Sequence, residues 1–218
     1  MALARSPHSR LPARKVWALL LLLAMAAHTL YKLQNGILPE LLWGCNIASF
    51  LIILGLWVDC PTLVGPGFLW HICLGDVAFA LGVAMRGQAI WPLFLAGWTS
   101  VLVHTLPTVA ALLFLVKRGL PRCSPYLALL LFIVLVPISH YLTPAHLNIN
   151  MAHVRWHPLS RVFPGNWSYR IVFSLCMLSL FLLGDFIGGR TMGRPKRSLA
   201  GGWPDPIPGG AITRTGTL

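Results

Sequence analysis

Apolar residues in this chain run in six blocks, 15–33, 37–58, 63–85, 90–116, 126–142 and 169–187, separated by short polar or basic stretches. A helix needs about 20 mostly apolar residues to cross the hydrocarbon of a bilayer. In lipid every backbone N–H must be bonded internally, and blocks of this length and unbroken apolarity satisfy that rule as helices rather than as barrel strands. The pattern predicts an all-α, polytopic membrane protein, a six-transmembrane-helix bundle.

Composition agrees with the pattern. Hydrophobic residues make up 56% of the 218, charged residues 10%, and mean hydropathy is +0.73, far from an ordinary soluble domain. Three regions follow: a basic cytoplasmic N-terminus (1–15), the six-helix membrane domain (16–188), and a disordered basic, Gly/Pro-rich cytoplasmic tail (189–218) with Gly201-Gly202, Pro204, Pro206, Pro208 and Gly209-Gly210. The first block also imitates a signal peptide, since basic residues precede a Leu-rich core ending in Ala24-Met25-Ala26. Because its apolar run continues to Leu30, it is read as a retained span. Cleavage is the alternative and would leave five spans.

Lys and Arg favour the cytoplasmic side of a membrane. With the N-terminus inside, twelve of the seventeen fall there, including Arg14, Lys117, Arg118, Arg190 and Arg194, against five outside: Lys32, Arg86, Arg155, Arg161 and Arg170. Both termini are therefore expected in the cytoplasm, and the cell membrane is the expected location. The formal net charge of +12 is then explained by basic ends that meet anionic headgroups. It is scattered over loops and tails rather than gathered on one face, so no nucleic-acid partner is expected.

No Walker motif, Gly-rich dinucleotide loop, HExxH or internal repeat is visible, and the five cysteines contain no CxxC pair. With Cys60 and Cys123 at the reducing face, a disulfide framework is not expected. The loop 143–167 is long and carries His146, Asn148, Asn150, His153, Trp156, His157 and Trp167. Loops of this size are often functional, although its aromatic residues also suit an interfacial belt. Asn166-Trp167-Ser168 fits a glycosylation sequon but lies very close to the last span.

Polar side chains inside the spans carry the functional argument, because an ionisable group in hydrocarbon must face a cavity or a partner. Span two opens with Pro39, Glu40, Trp43, Gly44, Cys45 and Asn46, a polar entrance in which Gly44 permits close approach beside Cys45. Span three holds His71, Cys73 and Asp76. On an α-helix Cys73 and Asp76 share a face and His71 and Cys73 do not, a poor spacing for a one-helix metal chelate. Asp76 at that depth should pair with a histidine or face water. Span four holds His104, three residues before Pro107, whose missing N–H leaves the Val103 carbonyl without its helical partner. His140 and Tyr141 end span five and are expected to complete the same outer cavity as Cys45 and Asp76. Asp185 should reach the inner interface or pair with Arg190. Each residue also has a bland reading: Cys45 as a packed small hydrophobe, and His104 as an interhelical hydrogen bonder.

The run Leu41-Leu42-Trp43-Gly44-Cys45-Asn46-Ile47, followed in a later span by Val103-His104-Thr105, resembles the YwaF-type integral membrane family, which is related to a vertebrate ether-phospholipid acyltransferase. The resemblance covers spans two to five. It departs from the family where a histidine often stands two residues before the cysteine and Trp43 stands here. It implies a catalytic pair, Cys45 and His104, with Asn148 and Asn150 matching an asparagine-containing motif. The implied function is a membrane-embedded, thiol-dependent lipid acyltransferase or acyl hydrolase acting on phospholipids and lysophospholipids, with no cofactor or metal. Asp76 or His140 would orient the imidazole, and Asn46 would serve as an oxyanion donor. Two other classes remain open: a transport or binding protein with outer metal ligands His146, His153 and His157, and a non-catalytic scaffold whose polar residues tie helices together.

Overall fold

The protein is described here from a computed structural model, which covers residues 12–85, 90–153 and 166–195, without side chains at 82–96, 151, 166 and 167. Every regular element among the described residues is helical. Five helical segments are long and apolar enough to cross a membrane: Ala13–Gln34, Pro61–Leu81, Gly97–Arg118, Ser124–Leu142 and Ser168–Thr191. These define an integral membrane protein.

The second block differs from its expected continuous span. Its first third is a 3-10 helix, Leu38–Leu42, opened by Pro39, and Trp43 is extended (φ −54°, ψ 135°) before helix α2 (Gly44–Val58) begins. With α1 as Ala13–Gln34, α2 is a 15-residue helix rising about 22 Å at 1.5 Å per residue, short of the roughly 30 Å hydrocarbon core. Asp59, in the left-handed conformation (φ 61°), ends α2, and Pro61 starts α3 (Pro61–Trp70), where a missing N–H costs nothing. The third block is also not one regular helix. A π-helical turn, His71–Gly75, separates α3 from α4 (Asp76–Met85).

Helix α5 (Ile90–Arg118) is kinked at Gly97, α6 spans Ser124–Leu142 and α7 spans Asn166–Thr191. Packing centres on α3, whose residues Val64 to Trp70 are all buried. Around it stand Ile52 and Leu56 of α2, Ala111 and Leu115 of α5, Phe132 of α6 and Phe181 of α7. Trp70 lies against Gly44, where a Cβ would come within 1.9 Å of its ring, so the close approach expected at Gly44 is made by an indole. Leu23, Leu54, Leu113, Ile133, Leu175 and Leu183 stay exposed, forming the lipid-facing surface of a bundle in which lipid is as apolar as the core.

Charged residues gather at the two ends. At one end Arg14 donates to the Leu56 and Trp57 carbonyls at the close of α2, and Arg14 and Arg118 flank Asp59. Arg194 binds Asp185 through two nitrogens (2.6 and 2.7 Å) and reaches the Leu120 carbonyl. Asp185 thus takes Arg194 rather than Arg190, which lies over the Phe186 ring. The turn after α7 folds back on the α5–α6 connection, so residues 189–195 belong to the ordered domain. At the other end Lys32 pairs with Glu40. The expected tail beyond 195, the N-terminal residues 1–11, and Arg86, Arg155, Trp156, His157 and Arg161 lie outside the described residues.

Candidate functional site

The site forms where the starts of α2 and α4 meet the middle of α5. The π turn positions its acidic member. In this turn backbone bonds run from residue i+5 to residue i, as the Asp76 N–H does to the His71 carbonyl. Residues five apart therefore stack: His71 Nδ1 lies 3.2 Å from Asp76 Oδ1. Cys73 is turned away, its thiol 3.4 Å from the Leu180 carbonyl of α7. The face expected to join Cys73 and Asp76 is thus replaced by one joining His71 and Asp76.

His104 comes in from α5, its Nδ1 3.6 Å from the same Asp76 Oδ1 and without a hydrogen bond of its own. Its ring stacks on Phe79 of α4, with centroids 4.6 Å apart. Gly75 marks where these groups converge: a Cβ there would lie 3.2 Å from Cys45 Cβ, 3.4 Å from His71 Nδ1 and 3.6 Å from His104 Nδ1. His71 is fully buried, while the Asp76 side chain keeps 31% exposure, so the cluster is open on its Asp76 side.

Hydroxyls hold the frame. Ser49, one turn after Cys45, contacts three groups: the Cys45 carbonyl at 2.9 Å, the Val103 carbonyl at 3.4 Å and His71 Nε2 at 3.0 Å. The Val103 carbonyl is the one deprived of a helical partner by Pro107, and the Ser49 hydroxyl approaches it. Thr108 donates to Asp76 Oδ2 at 2.6 Å and also lies 3.1 Å from the His104 carbonyl. A carboxylate only accepts, so His71 donates Nδ1–H to Asp76 and its Nε2 accepts from the Ser49 hydroxyl in the neutral ring.

Asn150 supplies a second support. Its Oδ1 accepts from the Gly44 N–H (2.9 Å) and its Nδ2 donates to the Leu42 carbonyl (2.7 Å) and Ser139 Oγ (2.8 Å). The amide stitches the break between the 3-10 helix and α2, one residue before Cys45, and ties it to α6. Asn150 and Asn148 both have positive φ (53° and 43°), a conformation asparagine tolerates better than most residues.

Of the residues singled out from sequence, Cys45, Asp76 and His104 come together. Two do not join them. Asn46 donates to the Glu40 carbonyl, away from the cluster. His140 contacts the Ala152 carbonyl (3.1 Å) and packs on Tyr141 and His153. It lines a different space, a mostly apolar groove of about 680 Å³ between α6 and α7 with Arg170 at the same end. On the loop after α6, His153 approaches the Thr143 carbonyl and His146 is exposed. Among the described residues the group with metal-ligand spacing is instead His71, Asp76 and His104. Sequence reasoning missed Ser49 and Thr108, which look like ordinary small polar residues in apolar helices, and left open which histidine pairs with Asp76. No family model, curated protein or solved structure matched the chain.

Proposed function

We propose that this protein is a membrane-embedded acyltransferase that carries acyl groups on Cys45. The observation that carries the reading is the convergence of Cys45, His104 and Asp76, contributed by three helices, beside Gly75. In this reading Cys45 is the nucleophile, His104 takes the thiol proton and Asp76 orients the imidazole. The thiolate attacks the carbonyl carbon of a phospholipid ester, and the lysophospholipid oxygen leaves with the proton held by His104. The thioester then yields its acyl group to an acceptor hydroxyl, whose proton passes to His104 and back to the Cys45 sulfur. Water as acceptor gives hydrolysis. Of the two orienting residues expected from sequence, Asp76 rather than His140 fits this role, and Asn46, bonded to the Glu40 carbonyl, is left out of it.

Lipid as substrate is supported by the long apolar helices that carry the cluster and by its opening on the Asp76 side. We further place six crossings in the membrane, with the 3-10 turn Leu38–Leu42 lengthening α2, and both termini at the cytoplasmic face of the cell membrane. The gathering of Arg14, Arg118 and Arg194 at one end supports this orientation. The test is reconstitution in liposomes with an acyl-labelled phospholipid and a lysophospholipid acceptor. Labelled product and a hydroxylamine-sensitive acyl-protein are expected, and both disappear in Cys45→Ala. Equal turnover in Cys45→Ala and wild type ends the proposal.

A further inference from the structure

Three acceptor-rich atoms face one another in this cluster: one ligand atom each of His71, Asp76 and His104 lies within 4.8 Å of the other two. Asp76 Oδ1 is the common neighbour of both rings, 3.2 Å from His71 Nδ1 and 3.6 Å from His104 Nδ1, and a metal ion bound among them displaces the ring proton that His71 shares with the carboxylate. His104 Nδ1, buried and without a hydrogen bond, adds a third donor aimed at the same point.

We propose that His71, Asp76 and His104 form a binding site for a divalent transition-metal ion of the zinc class. Zinc bonds of about 2.0–2.1 Å to nitrogen and oxygen set neighbouring tetrahedral ligands about 3.3 Å apart. The 3.2 and 3.6 Å separations to Asp76 Oδ1 lie near that spacing, and all three ligand atoms lie within 4.8 Å of one another. The set of two imidazoles and one carboxylate suits zinc, and cobalt(II) as its spectroscopic substitute, better than magnesium or calcium, which prefer oxygen. An outer shell is already built: Ser49 on the distal nitrogen of His71 and Thr108 on the distal oxygen of Asp76 fix ligand orientation as such partners do in metal sites.

Metal binding does not rest on acyl transfer. Coordination occupies the Asp76 carboxylate that would orient His104, so in a protein with both properties acyl transfer belongs to the metal-free form. The experiment uses the full chain purified in detergent, stripped with a chelator and titrated with Co²⁺. One Co²⁺ per chain is expected, with tetrahedral visible bands erased by Zn²⁺. His71→Ala weakens binding by more than the ~10–100-fold typical of outer-shell changes. Asp76→Ala weakens it likewise, with unchanged far-ultraviolet circular dichroism as the check on folding. His153→Ala binds as wild type. Absence of the bands at one equivalent, undiminished affinity in both His71→Ala and Asp76→Ala, or loss of binding in His153→Ala overturns the site.

Discussion

Asn150→Gly separates the bonds of one side chain from the strain of its backbone. Glycine adopts the φ of 53° freely, so the substitution removes the amide and leaves the conformation unstrained. Three bonds are lost, to Gly44 N–H, the Leu42 carbonyl and Ser139 Oγ, each between 2.7 and 2.9 Å. Interhelical polar contacts in membranes average about 0.6 kcal/mol, and a typical net hydrogen bond contributes about 0.5–1.5 kcal/mol. The three together contribute about 2–4 kcal/mol. For a chain of this size each kcal/mol shifts the melting temperature by roughly 2–4 °C, so thermal unfolding in detergent, followed by circular dichroism, should fall by about 4–16 °C. The loss is also local. The first turn of α2 loosens, and alkylation of Cys45 by a membrane-permeable maleimide accelerates while Cys73, on the π turn against α7, reacts at its wild-type rate. A melting temperature within 2 °C of wild type together with unchanged Cys45 labelling would refute the reasoning.

Three further outcomes are expected. His104→Ala abolishes lipid turnover while the protein stays in the membrane fraction, as judged by carbonate extraction; full activity in this variant removes the Cys–His pair. Asp76→Asn lowers turnover at least about 100-fold, the lower range for loss of acid–base assistance, with little change in the apparent KM for phospholipid; a change confined to KM would assign Asp76 to substrate binding. Gly44→Ala drives a methyl into the Trp70 ring and should destabilise by about 1–3 kcal/mol, the usual cost of overpacking; Trp70→Phe in the same chain should restore part of the loss, measured by the same thermal assay.

The membrane class and most of the helices follow from the sequence because lipid imposes a one-dimensional rule: a segment that must bond its own backbone and hide no polar surface declares itself by length and apolarity. The pairing of deep Asp76 with histidine follows from the same rule, since a carboxylate in hydrocarbon needs a partner close by. The released Val103 carbonyl was also predictable, because proline acts at a fixed offset along its own helix. Three features belong to the tertiary structure alone. The π turn at His71–Gly75 changes the angular step between residues, so the α-helical period placed His71 and Asp76 on different faces and paired Asp76 with Cys73. The break at Trp43 shortens α2 and moves the role of a cap to Asn150, more than a hundred residues away. Arg194 rather than Arg190 takes Asp185 because the chain reverses after α7 and Gly193 and Arg194 fold back onto Leu120. Apolarity and helical period are local quantities, whereas which carbonyl, carboxylate or imidazole meets across the bundle depends on where each helix bends and how its neighbour is rotated.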